Sequence, residues 1–296
     1  MSANPFKGTG VALVTPFKSD RNIDFKALER LVDHVIAQGV QYIVALGTTA
    51  ETPTLSEAEK MDVLLNVIEK TNRRVPVVAG LGGNSTQAIL RDFEKYPLDQ
   101  VDAILSVSPY YNKPTQNGLL MHFTELDKHT PKPIILYNVP GRTGSNMTAA
   151  TSIELAKSCE KIIGIKEASG NMVQCMELIQ NRPNHFTVLS GDDNLALAQI
   201  ACGFDGVISV AANCFTANFC ELIDHALKGA FSHARKIHYQ LLQGLDLLFT
   251  EGNPAGVKAF LSEMGLCENV LRLPMVPVSL STQEQIRMFL HQLKNG

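Results

Sequence analysis

The sequence predicts an α/β protein: a (β/α)8 TIM barrel followed by a C-terminal helical extension. Three observations predict this fold. Short runs rich in β-branched and apolar residues alternate with amphipathic helical patterns along most of the chain. Most of these runs are continuously apolar, which is typical of parallel strands buried on both faces. Eight such units within 296 residues close into a barrel more naturally than they form an open sheet.

The predicted strands are residues 10–14, 42–46, 75–80, 103–107, 133–137, 162–166, 187–190 and 206–210. Helix starts between them are indicated by residues that favour the N-cap. These are Asp24, Ser56 (with Glu59 completing a capping box), Ser85 or Thr86, Thr148, and Asp192 or Asp193.

The chain after the eighth strand reads as helical. Helices are predicted over residues 217–227, 231–249, 253–263 and 282–293. Asn253 with Pro254 in the first turn is a predicted start, and Ser281 with Glu284 reads as a capping box. No linker or low-complexity tract divides the chain. We therefore predict a barrel over residues 1–215 and a helical extension over residues 216–296.

Composition and charge exclude several classes of function. The net charge is -3 with no basic block, which disfavours nucleic acid or an anionic membrane surface as a partner. No apolar stretch approaches the ~20 residues of a membrane span. Residues 1–5 lack the basic and apolar regions of a signal peptide, so we expect a cytoplasmic protein. Charged residues are only 19%, which suits a chain that hides surface in an oligomer.

Cysteine and histidine spacing indicates neither disulfides nor a metal site. None of the six cysteines forms a C-x-x-C pair, and the eight histidines show no H-E-x-x-H pattern. We expect reduced, mostly buried thiols.

Lys166 stands at the end of a predicted apolar strand. Aliphatic neighbours there disfavour the ammonium form, and a neutral amine can attack a ketone. A phenol, Tyr137, and two hydroxyls, Thr48 and Thr49, end or follow similar runs. The combination suggests imine chemistry, although a lone strand-end lysine more often extends its amine to water.

Active groups of such barrels gather at the carboxyl ends of the strands. That rule selects Thr15, Thr48, Thr49, Tyr110, Tyr111, Tyr137, Arg142, Lys166, Ser190, Gly191, Asp192 and Ser209. Each alone could be structural, as a cap or a packing aromatic, and their convergence on one mouth favours function. The Gly-rich segment 80–85 matches G-x-G-x-x-G poorly and is interpreted as a tight turn rather than a phosphate loop.

Five motifs, in order and each at a strand end, make the chain resemble the dihydrodipicolinate synthase family of the pyruvate-dependent class I aldolase superfamily. They are Gly47-Thr48-Thr49-Ala50-Glu51, Ser108-Pro109-Tyr110-Tyr111-Asn112-Lys113-Pro114, Tyr137-Asn138-Val139-Pro140-Gly141-Arg142-Thr143-Gly144, Gly164-Ile165-Lys166-Glu167-Ala168-Ser169 and Ser190-Gly191-Asp192-Asp193. The resemblance runs essentially end to end. Two departures are Ala50, where glycine is usual, and Ala255, where proline is usual; neither removes a reactive group.

The resemblance implies a reaction and a set of roles. Pyruvate would condense with L-aspartate 4-semialdehyde to give 4-hydroxy-tetrahydrodipicolinate, on the route to diaminopimelate and lysine. The implied catalytic residues are Lys166 as the Schiff-base amine, Tyr137 as proton shuttle, and Thr48 and Tyr111 as its relay, with Tyr111 crossing from a neighbouring subunit. The implied substrate-binding residues are Thr49 for the pyruvate carboxylate, Gly191 and Ile208 for backbone contacts, and Arg142 for the second carboxylate. No metal or cofactor is implied, and the expected assembly is a homotetramer built as a dimer of dimers.

Two rival functions and a regulatory expectation remain at this point. A sugar-acid aldolase of the same superfamily, such as N-acetylneuraminate lyase, would share Lys166 and Tyr137, but Arg142 and the paired threonines favour the synthase. A non-catalytic keto-acid binding protein would usually lack the lysine or the tyrosine. Ala88 stands where lysine-inhibited relatives often carry a carboxylate, and Lys60 adds like charge, so we expect weak or absent feedback by lysine.

Overall fold

The computed structural model describes residues 5–295. Residues 1–4, on which part of the signal-peptide expectation rests, lie outside it. Eight parallel strands close into a barrel in sequence order. They are β1 (Gly8–Ala12), β2 (Tyr42–Ala45), β3 (Val77–Gly80), β4 (Ala103–Val107), β5 (Ile134–Asn138), β6 (Ile162–Glu167), β7 (Thr187–Ser190) and β8 (Gly206–Ser209). The predicted fold class and all the predicted strands are confirmed; β1 differs most, lying two residues before its predicted position.

Helices surround the barrel and form the tail. Those up to β8 are α1 (Phe25–Ala37), α2 (Glu57–Thr71), α3 (Thr86–Lys95), α4 (Gln116–His129), α5 (Pro140–Thr143), α6 (Ala149–Ser158), α7 (Met172–Asn181) and α8 (Ala196–Ala201). After β8 come α9 (Thr216–Leu227), α10 (Phe231–Leu247), α11 (Ala255–Glu263) and α12 (Leu280–Asn295). The four predicted tail helices are therefore present.

Alternate strand residues build two apolar cores. Inward side chains such as Tyr42, Leu105 and Leu189 fill the barrel, while outward ones such as Ile43 and Val188 pack against the helices. Burial on both faces explains why the strands read as continuous apolar runs. The last residue of β3 must be glycine for packing, because a Cβ on Gly80 would lie 2.3 Å from the Leu46 carbonyl oxygen.

Four predicted helix starts are confirmed. Each depends on a hydrogen bond between residues close in sequence, which is why local patterns could predict it. Asp24 accepts from the Ala27 amide, and Ser85 and Thr148 cap α3 and α6 in the same way. Ser56 and Glu59 form the predicted capping box of α2.

Three other predicted caps are wrong. Neither Asp192 nor Asp193 caps α8, which starts without a side-chain cap; Asp193 instead accepts from the amides of Val210 and Ala211 at 3.0 and 2.8 Å. Asn253 does not cap α11, because its side chain bonds to Thr49. The Ser281 box is also absent: α12 starts at Leu280, and the Ser279 hydroxyl accepts from the Thr282 amide.

Two ion pairs, one buried and one partly exposed, join the extension to the barrel. The Lys258 amine of α11 lies 2.5 Å from the Glu51 carboxylate, and both side chains are almost completely buried. Arg272 pairs with Glu59 at the start of α2 and holds the pKa of that carboxyl at about 2.

All six cysteines are free thiols. Within residues 5–295, no helix has both the length and the apolar character needed to cross a membrane.

Candidate active site

A cavity of about 400 Å³ opens at the carboxyl ends of the strands. Strand ends and the loops that follow them supply most of its wall, and the C-terminal extension supplies the rest. The lining residues are Ala12, Val44, Gly47, Thr48, Thr49, Leu105, Tyr137, Val139, Gly141, Arg142, Lys166, Ala168, Gly191, Asp192, Val210, Phe249 and Asn253.

Lys166 and Tyr137 face each other inside this cavity. They are direct partners in the register of β5 and β6, so both side chains point to the barrel interior. Lys166 is only 5% exposed, and its amine lies 4.3 Å from the centroid of the Tyr137 ring. An amine is thus held out of bulk water beside a phenol that can give or take a proton.

Glu167 fixes the strand end that carries Lys166. It is fully buried on the outer face of β6, and its carboxylate accepts hydrogen bonds from Asn138, Gln174 and the Ser169 amide at 3.0, 3.1 and 2.7 Å. Three N–H donors compensate a buried carboxylate well. Glu167 was not among the predicted site residues, although an acidic residue that ends an apolar strand is itself an unusual signal.

The two threonines lie in a 3-10 turn, Thr48–Ala50, directly after β2. Thr49 is 2% exposed, and its hydroxyl accepts a hydrogen bond of 3.0 Å from the Asn253 amide. Thr48 is more open to the cavity. Both hydroxyls therefore lie in the same wall, with only Thr49 tied to another side chain in the described structure.

Gly191 allows the backbone after β7 to approach Lys166 closely. A Cβ there would lie 2.5 Å from the Cβ of Ala168 and 3.0 Å from the Lys166 Cε, so any side chain would collide with Ala168 and crowd the lysine. Next to it, burial raises the pKa of the Asp192 carboxyl to about 6, against the opposing effect of Lys166. Ile208 is buried in the barrel interior but does not line the cavity.

Arg142 and Tyr111 lie towards solvent. Arg142, in the short helix α5, is exposed and lines the cavity mouth. Tyr111 is 89% exposed, has a φ of 74°, and does not line the cavity. Six of the predicted site residues thus come together, namely Lys166, Tyr137, Thr48, Thr49, Arg142 and Gly191, whereas Tyr111 and Ile208 lie outside.

A second cavity of about 350 Å³ adjoins the first and shares Thr48, Tyr137 and Arg142 with it. Lys60 and Tyr110 line its far side. Of the other residues at the strand ends, Ser190 and Ser209 are engaged in local hydrogen bonds rather than the cavity. Among residues 5–295, no three His, Cys, Asp or Glu side chains gather as a metal site would require.

The family model of the dihydrodipicolinate synthetase family matches residues 5–293. This chain belongs to that family. Its relatives include the 4-hydroxy-tetrahydrodipicolinate synthase of Azobacteroides pseudotrichonymphae, 52% identical over 95% of both chains. The synthase of Parabacteroides distasonis is 47% identical over 97% of both.

A solved structure extends the similarity to the fold. The chloride-inhibited dihydrodipicolinate synthase of Acinetobacter baumannii, complexed with pyruvate, superposes with a TM-score of 0.94 at 39% identity. The alignment covers 97% of this chain and 99% of that one. The predictions of family, fold and enzyme class, a class I aldolase-type lyase, are confirmed.

Proposed function

We propose that the cavity is the active site of a synthase that condenses pyruvate with L-aspartate 4-semialdehyde to give 4-hydroxy-tetrahydrodipicolinate. The observation that carries this proposal is the buried Lys166 amine beside the Tyr137 ring, at the carboxyl end of the barrel of a family member. This places the enzyme in diaminopimelate and lysine biosynthesis.

The Lys166 amine attacks the keto carbon of pyruvate, and loss of water gives a protonated imine. The iminium withdraws electrons, so the methyl group loses a proton and becomes the nucleophilic carbon of an enamine. That carbon attacks the aldehyde of the second substrate. The amino group of the second substrate then adds to the imine carbon and displaces the Lys166 amine, which closes the ring and frees the enzyme. Because the lysine itself supplies the electron sink, the reaction needs no metal or organic cofactor.

Proton transfers in this scheme fall to Tyr137. Its phenol lies next to the amine and serves as general acid and base during imine formation and the carbon–carbon bond-forming step. Thr48 and Tyr111 relay the proton. Tyr111 reaches the site of a neighbouring subunit, which is compatible with its 89% exposure on its own chain.

Two carboxylates are bound at opposite depths of the cavity. Thr49, deep and buried, holds the pyruvate carboxylate with its hydroxyl and backbone amide, and Gly191 and Ile208 contribute backbone contacts near the imine. Arg142, at the mouth, binds the carboxylate of aspartate semialdehyde, which suits a planar bidentate donor.

The enzyme is a cytoplasmic homotetramer built as a dimer of dimers, with a barrel of residues 1–215 and a helical extension of residues 216–296. The low charged fraction and the exposed Tyr111 support an oligomer. Assembly varies among structural relatives, because one 37% identical structure is of a monomeric dihydrodipicolinate synthase variant. Analytical ultracentrifugation of the purified chain tests the tetramer.

The choice of second substrate tests the function. The purified enzyme is incubated with pyruvate and either aspartate semialdehyde or N-acetylmannosamine, and loss of pyruvate is followed. Loss of pyruvate with aspartate semialdehyde but not with N-acetylmannosamine supports the synthase. Loss of pyruvate with N-acetylmannosamine but not with aspartate semialdehyde would identify a sugar-acid aldolase and overturn the proposal.

A further inference from the structure

Asn253 belongs to the C-terminal extension but lies in the wall of the active-site cavity. It is 6% exposed, and its amide nitrogen donates to the Thr49 hydroxyl at 3.0 Å across 204 residues of sequence. Its amide oxygen is buried and has no hydrogen-bond partner among the described residues. An unpaired buried acceptor is costly, which marks the amide as more than a packing group.

The direction of this hydrogen bond determines what the Thr49 hydroxyl can do. A hydroxyl has one hydrogen to donate. Because Thr49 accepts from Asn253, its hydrogen remains free for a group in the cavity. With the amide reversed, the oxygen of Asn253 would take that hydrogen, and Thr49 could no longer donate it to a carboxylate.

The extension holds Asn253 firmly against the threonine turn. Its helix α11 starts two residues later and carries Lys258, whose amine pairs with Glu51, two residues after Thr49. The amine also donates to the Val270 carbonyl at 2.9 Å and lies 4.0 Å from the Phe17 ring centroid. Two buried contacts, Asn253 with Thr49 and Lys258 with Glu51, therefore join the same segment of the extension to the turn after β2.

We propose that Asn253 is a positioning residue for pyruvate: its amide N–H orients the Thr49 hydroxyl so that the hydroxyl donates to the pyruvate carboxylate. This inference rests on the proposed function, in which Thr49 binds that carboxylate. It gives the C-terminal extension a part in substrate binding. The second substrate, bound at the mouth near Arg142, does not depend on this contact.

A set of variants separates positioning from simple structural support. Asn253→Ala removes the donor, and Asn253→Asp keeps the shape but replaces the amide with a group that only accepts. Thr49→Val removes the hydroxyl, and the double variant Thr49→Val/Asn253→Ala closes a thermodynamic cycle. Thr250→Ala, three residues away on the exposed surface, is the matched control. Circular dichroism and thermal unfolding establish that each variant is folded.

The KM for pyruvate should rise roughly tenfold in Asn253→Ala, the effect of about one lost hydrogen bond, while the KM for aspartate semialdehyde changes by less than about twofold. Asn253→Asp should be worse, because it takes the Thr49 hydrogen and repels the carboxylate. In the Thr49→Val background, Asn253→Ala should add less than about a twofold further rise. Thr250→Ala should match the wild type.

Additive effects of the two substitutions, equal effects on both substrates, or an Asn253→Asp variant as good as the wild type would overturn the inference. If Asn253→Ala does not fold, the near-isosteric Asn253→Asp still decides. Borohydride trapping of pyruvate on the wild type distinguishes failure of this inference from failure of the proposed function. If pyruvate is trapped at Lys166 but the Asn253 substitutions leave the KM for pyruvate unchanged, only this inference is wrong. If no pyruvate is trapped at Lys166, the proposed function is wrong.

Discussion

At the scale of single residues, the proposed chemistry depends on the phenol of Tyr137, whose ring lies beside the Lys166 amine. Tyr137→Phe removes one hydroxyl and leaves the ring packing, so the fold should be kept. Turnover should fall by roughly 10²–10⁴-fold, as expected for a positioned acid/base group. Thr48→Val and Tyr111→Phe should cause smaller losses of the same kind. Steady-state kcat is the measurement, and nearly full turnover of Tyr137→Phe would exclude the proton-shuttle role.

Arg142 is the residue whose removal should separate the two substrates. It lies exposed at the mouth of the cavity, away from the buried Thr49. Arg142→Ala should therefore raise the KM for aspartate semialdehyde far more than the KM for pyruvate, because only the second carboxylate loses its bidentate partner. Initial rates with each substrate varied in turn give both constants. An equal rise in both would indicate a structural or gating role instead.

At the scale of elements, helix α11 is joined to the turn after β2 by the buried Lys258–Glu51 pair. Lys258→Met should lower the free energy of unfolding by about 3–5 kcal/mol, because the buried Glu51 carboxylate loses its cationic partner and keeps only the Arg272 backbone amide as a donor, at 3.0 Å. Adding Glu51→Gln should recover part of that loss. Urea unfolding at neutral pH measures both. A loss below about 1 kcal/mol in the single variant would show that Glu51 does not need this partner.

The elements that the sequence predicted correctly are those encoded locally. Buried strands follow from continuous apolar runs, and the caps Asp24, Ser56, Ser85 and Thr148 bond to amides three residues ahead. The wrong caps have other partners that local patterns do not indicate. Asn253 bonds across the molecule to Thr49, and Asp193 bonds to the amides after β8.

The residues of the candidate site likewise fall into those that the sequence predicts and those that it does not. Six of its predicted residues could be found because parallel strands bring their carboxyl ends to one mouth. The contributions of Phe249 and Asn253 could not be found, because no periodicity in the tail indicates which part of it folds back over the barrel. The exposure of Tyr111 on its own chain likewise does not follow from local sequence.

At the scale of the whole molecule, the surroundings of the second cavity bear on control by lysine. Lys60 lines this cavity and would repel a bound ammonium, while the Glu57 carboxylate is already paired with Lys95. Ala88 supplies no charge. Lysine should therefore inhibit weakly or not at all, measured as initial rate against added lysine at saturating substrates. Half-inhibition below about 1 mM would show that another group binds the ammonium.

The most direct test of the account is the covalent adduct at Lys166. The enzyme is incubated with pyruvate, reduced with borohydride and digested, and the modified peptide is identified by mass spectrometry. A stable reduced adduct at Lys166 is expected, and both Lys166→Ala and Lys166→Arg should abolish it, because a guanidinium remains protonated. An adduct at a different lysine, or undiminished trapping by Lys166→Ala, would contradict the assignment of Lys166 as the Schiff-base residue.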